Sequence, residues 1–214
     1  MSGFFFLVLA TLDSIRRNAS SSDDIASVTF ALSIAPSRKP PKVSLETEQR
    51  VVKNLINTAQ GNPGTLNSME ATELEVILKP AGMAKQKSLW IKEGLNTLNS
   101  NPEYSIDALR QMPTEDARQK LLMLKGVGPK AVDCFLLLGL DRPVFPVDVN
   151  VFKLVSKLFP EYITGNLDVQ PSFSNPKHVR STKLLLENSF TQDTKLYQIL
   201  HTYLLLAEKY KIVT

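Results

Sequence analysis

Lys130 and Asp148, eighteen positions apart, carry the side chains best placed for chemistry, and a glycine pair just before the lysine supplies their setting. A helical apolar pattern closes on Leu121, Leu122 and Leu124, and Gly126-Val127-Gly128 breaks it. Pro129 then suits the first position of a new helix, because its fixed φ is already helical. The pattern predicts a helix-hairpin-helix. Glycines without a Cβ let backbone N–H groups approach an anion, and the positive end of the second helix's dipole points the same way. A phosphate fits such a turn, and that contact positions a nucleic-acid backbone without reading its bases. A turn that uses glycine for geometry alone has the same sequence.

Lys130 favours the first of these readings. In the first turn of a helix the dipole disfavours an ammonium, a setting that suits a nucleophilic amine better than a structural lysine. Asp148 stands after Val-Phe-Pro-Val and before a run with apolar residues at Val149, Phe152, Leu154, Val155 and Leu158, so it is expected to cap that helix. A capping carboxylate that faces a nucleophilic lysine can do both jobs.

Leu-Lys-Gly-Val-Gly-Pro-Lys, followed after seventeen intervening residues by Asp148 in Phe-Pro-Val-Asp-Val-Asn-Val, resembles the helix-hairpin-helix and Gly/Pro-Asp motif of the base-excision DNA glycosylases. The endonuclease III-like branch is the most similar, and the resemblance extends more loosely over residues 4–210. It implies a glycosylase with abasic-site lyase activity on oxidised bases. Lys130 would attack the sugar C1′ and form a Schiff base, while Asp148 helps expel the base and offsets the positive charge on the sugar. Members of the superfamily without a lysine at this place remove the base only.

The resemblance also implies DNA contacts at Lys125, Gly126, Val127 and Gly128. The junction Lys79-Pro80-Ala81-Gly82-Met83-Ala84-Lys85-Gln86-Lys87 resembles a family loop in which a helix start faces the DNA backbone, which makes Lys85 and Lys87 candidate phosphate contacts. A solvated basic turn is the alternative there. Asp133-Cys134 also occurs beside the lysine of the 8-oxoguanine branch. An 8-oxoguanine-type or monofunctional mismatch glycosylase and a non-enzymatic helix-hairpin-helix module stay open as alternatives. The last two give no reason for both Lys130 and Asp148.

Composition agrees with these readings. The 214 residues are 43% hydrophobic and 21% charged, ordinary for a soluble protein able to bury a sizeable core. A net charge of +4 and a pI near 9.1 favour a polyanionic partner. Two histidines and the single Cys134 leave no room for a zinc constellation or an internal disulfide, and point to a reducing, intracellular setting. The endonuclease III branch runs from its last helix into four cysteines that hold an iron-sulfur cluster. One cysteine excludes such a cluster in this chain, so either the member lacks it or the sequence is a piece of a longer one. No cofactor is expected.

The elements that must position Lys130 and Asp148 read as helices throughout. The apolar stretch 4–10 predicts a buried helix, too short to span a bilayer and without the flanks of a signal peptide. Around 14–23 the endonuclease III branch has a glutamine that fills the gap left by a flipped base. Here there is none, and Arg17 or Asn18 are the candidates beside a plain loop capped by Ser22 or Asp23. Helices are expected over 25–32, 44–58, 69–78 and 88–98, then two short ones capped by Ser105 and Thr114. The second hairpin helix, 131–140, is apolar nearly all round and belongs in the centre. Residues 160–176 read as irregular. The last helix shows an apolar face at Leu196, Ile199, Leu200, Tyr203, Leu204 and Ala207, and His201 on it reads as a packed histidine.

The resulting expectation is an all-α protein of nine or ten helices in two lobes, with a DNA-binding cleft between them. Residues 3–140 would form a helical barrel with the hairpin, and 141–214 a second lobe packed on the N-terminal helix. The expected partner is duplex DNA with a damaged base or abasic site, bound by a monomer.

Overall fold

The computed structural model describes residues 21–34, 45–60, 62–166, 168–209 and 212. Among these the chain forms twelve α-helices and two 3-10 turns, without a strand. They are α1 (Ser22–Ile34), α2 (Leu45–Ala59), α3 (Pro63–Ser68), α4 (Ala71–Leu78), α5 (Ala84–Ser100), α6 (Ile106–Gln111), α7 (Thr114–Leu122), α8 (Pro129–Leu138), α9 (Val149–Leu158), α10 (Pro160–Thr164), α11 (Pro176–Ser189) and α12 (Thr194–Lys209). The all-α expectation is met. The expected helix over 4–10 and the candidates Arg17 and Asn18 lie outside the described residues.

Two of the helices were not expected, and both are short. Pro63 and Pro160 each sit at the first helical position, and Asn62 caps α3 by accepting from the Gly64 amide. Five or six residues are too few to show a period, so such turns read as loops. The start of α1 also differs from the expectation, because Ser21 accepts from the Asp24 amide and caps it.

α1 is buried from 26 to 32, with Ala26, Val28, Phe30, Ala31 and Leu32 wholly enclosed and the small polar Ser27 and Thr29 buried among them. It packs against α5 and α8. The Phe30 ring meets Phe135 of α8 edge-on, with centroids 5.4 Å apart. On its other neighbour, α5, a Cβ at Gly94 would lie 2.3 Å from the same ring, so glycine is what lets α1 and α5 approach. Every residue from 131 to 140 is buried, as its composition predicted.

α8 is capped by Gly139, and two residues further on Asp141 takes a left-handed conformation (φ 51), which aspartate tolerates better than most residues. Arg142 follows. Its guanidinium donates to the carbonyls of Leu109 (2.9 Å), Arg110 (2.8 Å) and Met112 (2.5 Å), and to Thr114 Oγ1 (2.9 Å). Two of the last carbonyls of α6 and that of its C-cap Met112 are thereby satisfied, and the strap leading to Asp148 is tied to the start of α7.

On α12 the buried face is rotated from the one the apolar residues suggested. Tyr197, Gln198, His201, Thr202 and Leu205 are buried, whereas Ile199 and Tyr203 are exposed. Polar residues can take that face because their groups have partners inside. The Tyr197 hydroxyl donates to the Glu187 carbonyl (3.0 Å), and Gln198 Nε2 donates to the Leu137 carbonyl (3.3 Å). No helix among the described residues is long and apolar enough to cross a membrane.

Candidate active site

Gly126 and Gly128 do different work in the hairpin. Gly126 has φ +75, and a Cβ there would stand 2.2 Å from the Trp90 indole. Glycine is required by backbone and packing alike. Gly128, at φ −112, is the N-cap of α8 and offers no side chain to the orphan amides of its first turn. Val127 is buried and anchors the turn in the core, so only its backbone can meet a partner. Lys125 is 72% exposed and ion-paired with Glu93 at 3.0 Å.

Of the two lysines at the other expected DNA contact, only Lys85 is exposed, at the start of α5. Lys87 is corrected: it is 2% exposed, and its Nζ donates to the Ala81 carbonyl at 2.9 Å. Its amine closes the 3-10 turn before α5 and is not presented to a phosphate. Two residues, roughly 200° of helical turn, separate the two, a difference that the charge run in the sequence hides.

Lys130 stands in the first turn of α8, half-buried, on the wall of a cavity of about 1000 Å³ that Asp148 also lines. Asp148 stands at the end of the strap 141–148, whose residues 144–148 are all buried. Glu187 of α11 accepts the Phe145 amide at 2.8 Å, and the Phe145 ring lies 5.4 Å from Tyr197 and 5.7 Å from His201. Arg142 fixes the start of the strap. Its end is fixed by Asp148 itself, whose Oδ1 accepts from the amides of Asn150 (2.8 Å) and Val151 (2.9 Å). The expected cap is present, and it engages one oxygen only. Oδ2 is buried without a hydrogen-bond partner. A carboxylate oriented through one oxygen and unsatisfied at the other suits a site that must meet a transient positive charge.

His201 is fully buried in electrostatic reach of both groups. Burial pushes its imidazole down to about 3. The Asp148 carboxylate opposes that shift, Lys130 reinforces it, and a hydrogen bond with the Pro146 backbone opposes it again. The ring is therefore neutral, and it is a packed residue beneath the site as the sequence suggested.

A second cluster on the same cavity was not foreseen. Asp133, one turn beyond Lys130 on α8, is paired through Oδ1 with Arg118 of α7 and through Oδ2 with Lys183 of α11 at 2.8 Å. Arg118 also donates through Nε to Glu115 at 3.1 Å. Burial pushes the Lys183 ammonium down to about 8, helped by Arg118 and opposed by Glu187 and Glu115. Asp133 was visible as a polar exception in an apolar helix. Nothing in the spacing points to Arg118, Lys183 or Glu187, because the fold alone brings them from α7 and α11 to α8.

Cys134 is buried in the core, and no group of three or more metal-ligating residues occurs among the described residues.

No protein-family model matches the chain. In sequence it is 34% identical over 111 residues to a putative DNA glycosylase of Arabidopsis thaliana, across 51% of this chain and 38% of that one. It is 42% identical over 59 residues to a probable N-glycosylase/DNA lyase of Methanothermobacter thermautotrophicus, across 27% of this chain and 19% of that one. The chain thus spans well under half the length of these relatives. In structure it superposes on endonuclease III from a trapped covalent DNA intermediate with a TM-score of 0.59 at 15% identity, across 96% of this chain and 86% of the other. The 3-methyladenine DNA glycosylase of H. pylori gives the same score at 19% identity, across 99% of both chains.

Proposed function

We propose that this chain, which has the helix-hairpin-helix glycosylase fold and DNA glycosylases among its sequence relatives, excises an oxidised base from duplex DNA and cleaves the strand through a lysine Schiff base. The observation that carries the reading is the presence of Lys130 and Asp148 on one cavity, the carboxylate locked by its cap and unsatisfied at Oδ2.

In the first step the Lys130 nitrogen bonds to the sugar C1′ as the bond from C1′ to the base breaks, its electron pair leaving with the base. Opening of the sugar ring gives the imine, and the protons shed by the amine pass to the departing base and the ring oxygen. The Asp148 carboxylate offsets the charge that develops at C1′, and its capping bonds keep it in place without reorganisation. The imine then makes a C2′ proton acidic, and its loss expels the 3′ phosphate by β-elimination. Water hydrolyses the imine and frees Lys130. Each step uses side chains of a single chain and water.

The base must leave the stack to reach this cavity. Its walls come from α7 and α8 on one side of residue 140 and from the strap and α11 on the other, which supports a DNA-binding cleft between 3–140 and 141–214. Phosphates would be held by the hairpin amides, Lys125 and Lys85.

The test is strand cleavage of duplexes that carry one oxidised pyrimidine or one abasic site. Wild type is expected to cleave both. Lys130→Gln is expected to lose cleavage, and Asp148→Asn to slow it roughly 100-fold. Failure of the wild type on every lesion duplex, or Lys130→Gln cleaving at the wild-type rate, would overturn the reading.

A further inference from the structure

The cavity that holds Lys130 and Asp148 has a second wall which the mechanism leaves unused. Arg118, Asp133 and Lys183 lie there with side chains only 14%, 7% and 19% exposed. Burying three charges costs more than packing apolar residues of the same size, so the cluster calls for a role beyond holding α7, α8 and α11 together. Asp133 occupies both of its oxygens with the two cations. Lys183 has three donors and Asp133 takes one; Arg118 has five and gives one each to Asp133 and Glu115. Both cations therefore keep N–H donors beyond those given to Asp133 and Glu115.

An aromatic ring lies on the same cavity. Phe173, in the irregular segment between α10 and α11, packs edge-on against Phe152 at 5.4 Å and remains 41% exposed. A large apolar ring steadied at its edge and left open to a cavity offers a face for stacking a planar group.

Resting on the glycosylase reading above, we propose that Phe173, Lys183 and Arg118 form the seat of the extruded base, whose ring stacks on Phe173 while its keto oxygens accept hydrogen bonds from Lys183 and Arg118. The base so defined carries carbonyl acceptors along one edge. A base without a keto oxygen leaves the remaining donors of Lys183 and Arg118 unanswered. Asp133 is a positioning residue, since it acts through the two cations it holds.

The test compares two rates for each variant: excision of a base, and cleavage of a preformed abasic site in the same duplex. The bases are 5-hydroxyuracil and 8-oxoguanine, both with keto oxygens, and 1,N6-ethenoadenine, which has none. Wild type is expected to excise one or both keto bases and to leave 1,N6-ethenoadenine. In Phe173→Ala and Lys183→Met the ratio of excision to abasic-site cleavage is expected to fall at least tenfold, with Phe173→Tyr restoring it. Phe173 is partly exposed, so its variant remains informative if Lys183→Met fails to fold. An unchanged ratio in Phe173→Ala, or wild-type preference for 1,N6-ethenoadenine, would overturn the seat while abasic-site cleavage still upheld the lyase. Loss of both activities in the wild type would instead remove the reading on which the seat rests.

Discussion

Gly126 lies so close to Trp90 that a Cβ on it would stand 2.2 Å from the indole ring. Combined with its φ of +75, this makes Gly126→Ala costly for the fold whatever it does to DNA binding. A loss of about 1–3 kcal/mol is expected, as overpacking and a left-handed alanine both contribute. Urea unfolding measures it, and an unchanged midpoint would contradict the packing argument. Gly128 adopts a backbone conformation open to any residue, so Gly128→Val is the cleaner probe of the phosphate role: weaker binding to an abasic-site duplex is expected without the Gly126 penalty.

The two lysines at the start of α5 should separate in the same way. Binding to duplex DNA is expected to weaken with salt as counterions are released, and Lys85→Ala should lower the slope of log affinity against log salt by about one. Lys87→Met should leave that slope alone and lower stability, because its amine caps the Ala81 carbonyl inside the protein. Equal effects of the two substitutions on the slope would refute the assignment of Lys87 to the fold.

His201 makes stability depend on pH in a defined direction. Its folded value lies near 3, below the ordinary 6.5, so between these limits the unfolded chain binds a proton that the folded one refuses. Stability from this group is complete above pH 6.5 and declines as pH falls toward 3, by on the order of 1.4 kcal/mol per unit at most. Other groups titrate in this window, so the readout is the difference between wild type and His201→Gln. The variant is expected to lose stability less steeply between pH 6.5 and 4; parallel curves would show that the ring is already protonated in the folded state.

Much of this site was legible before the fold was known, for reasons that can be assigned residue by residue. Gly126, Pro129 and the Asp148 cap are local signals, each set by backbone geometry within a few residues, and each was read correctly. The phase of α12 was misread, since Tyr197, Gln198 and His201 take the core through partners on α11, α8 and the strap, contacts no periodicity reveals. Lys87 is hidden for a similar reason: its acceptor lies six residues back in the chain, and the charge run alone does not show it. Arg118, Lys183 and Glu187 have no motif at all. Their role depends on three helices meeting at Asp133 and Phe145, a tertiary fact.

The central claim is that Lys130 is the nucleophile, and borohydride trapping tests it most directly. Reduction during reaction with an abasic-site duplex should fix the imine as a stable protein–DNA adduct. Peptide mapping is expected to place that adduct on Lys130, and Lys130→Gln is expected to bind the duplex without being trapped. Lys183 shares the cavity and is the natural control for misassignment. An adduct mapped to Lys183 or to any other amine, or undiminished trapping of Lys130→Gln, would contradict the account.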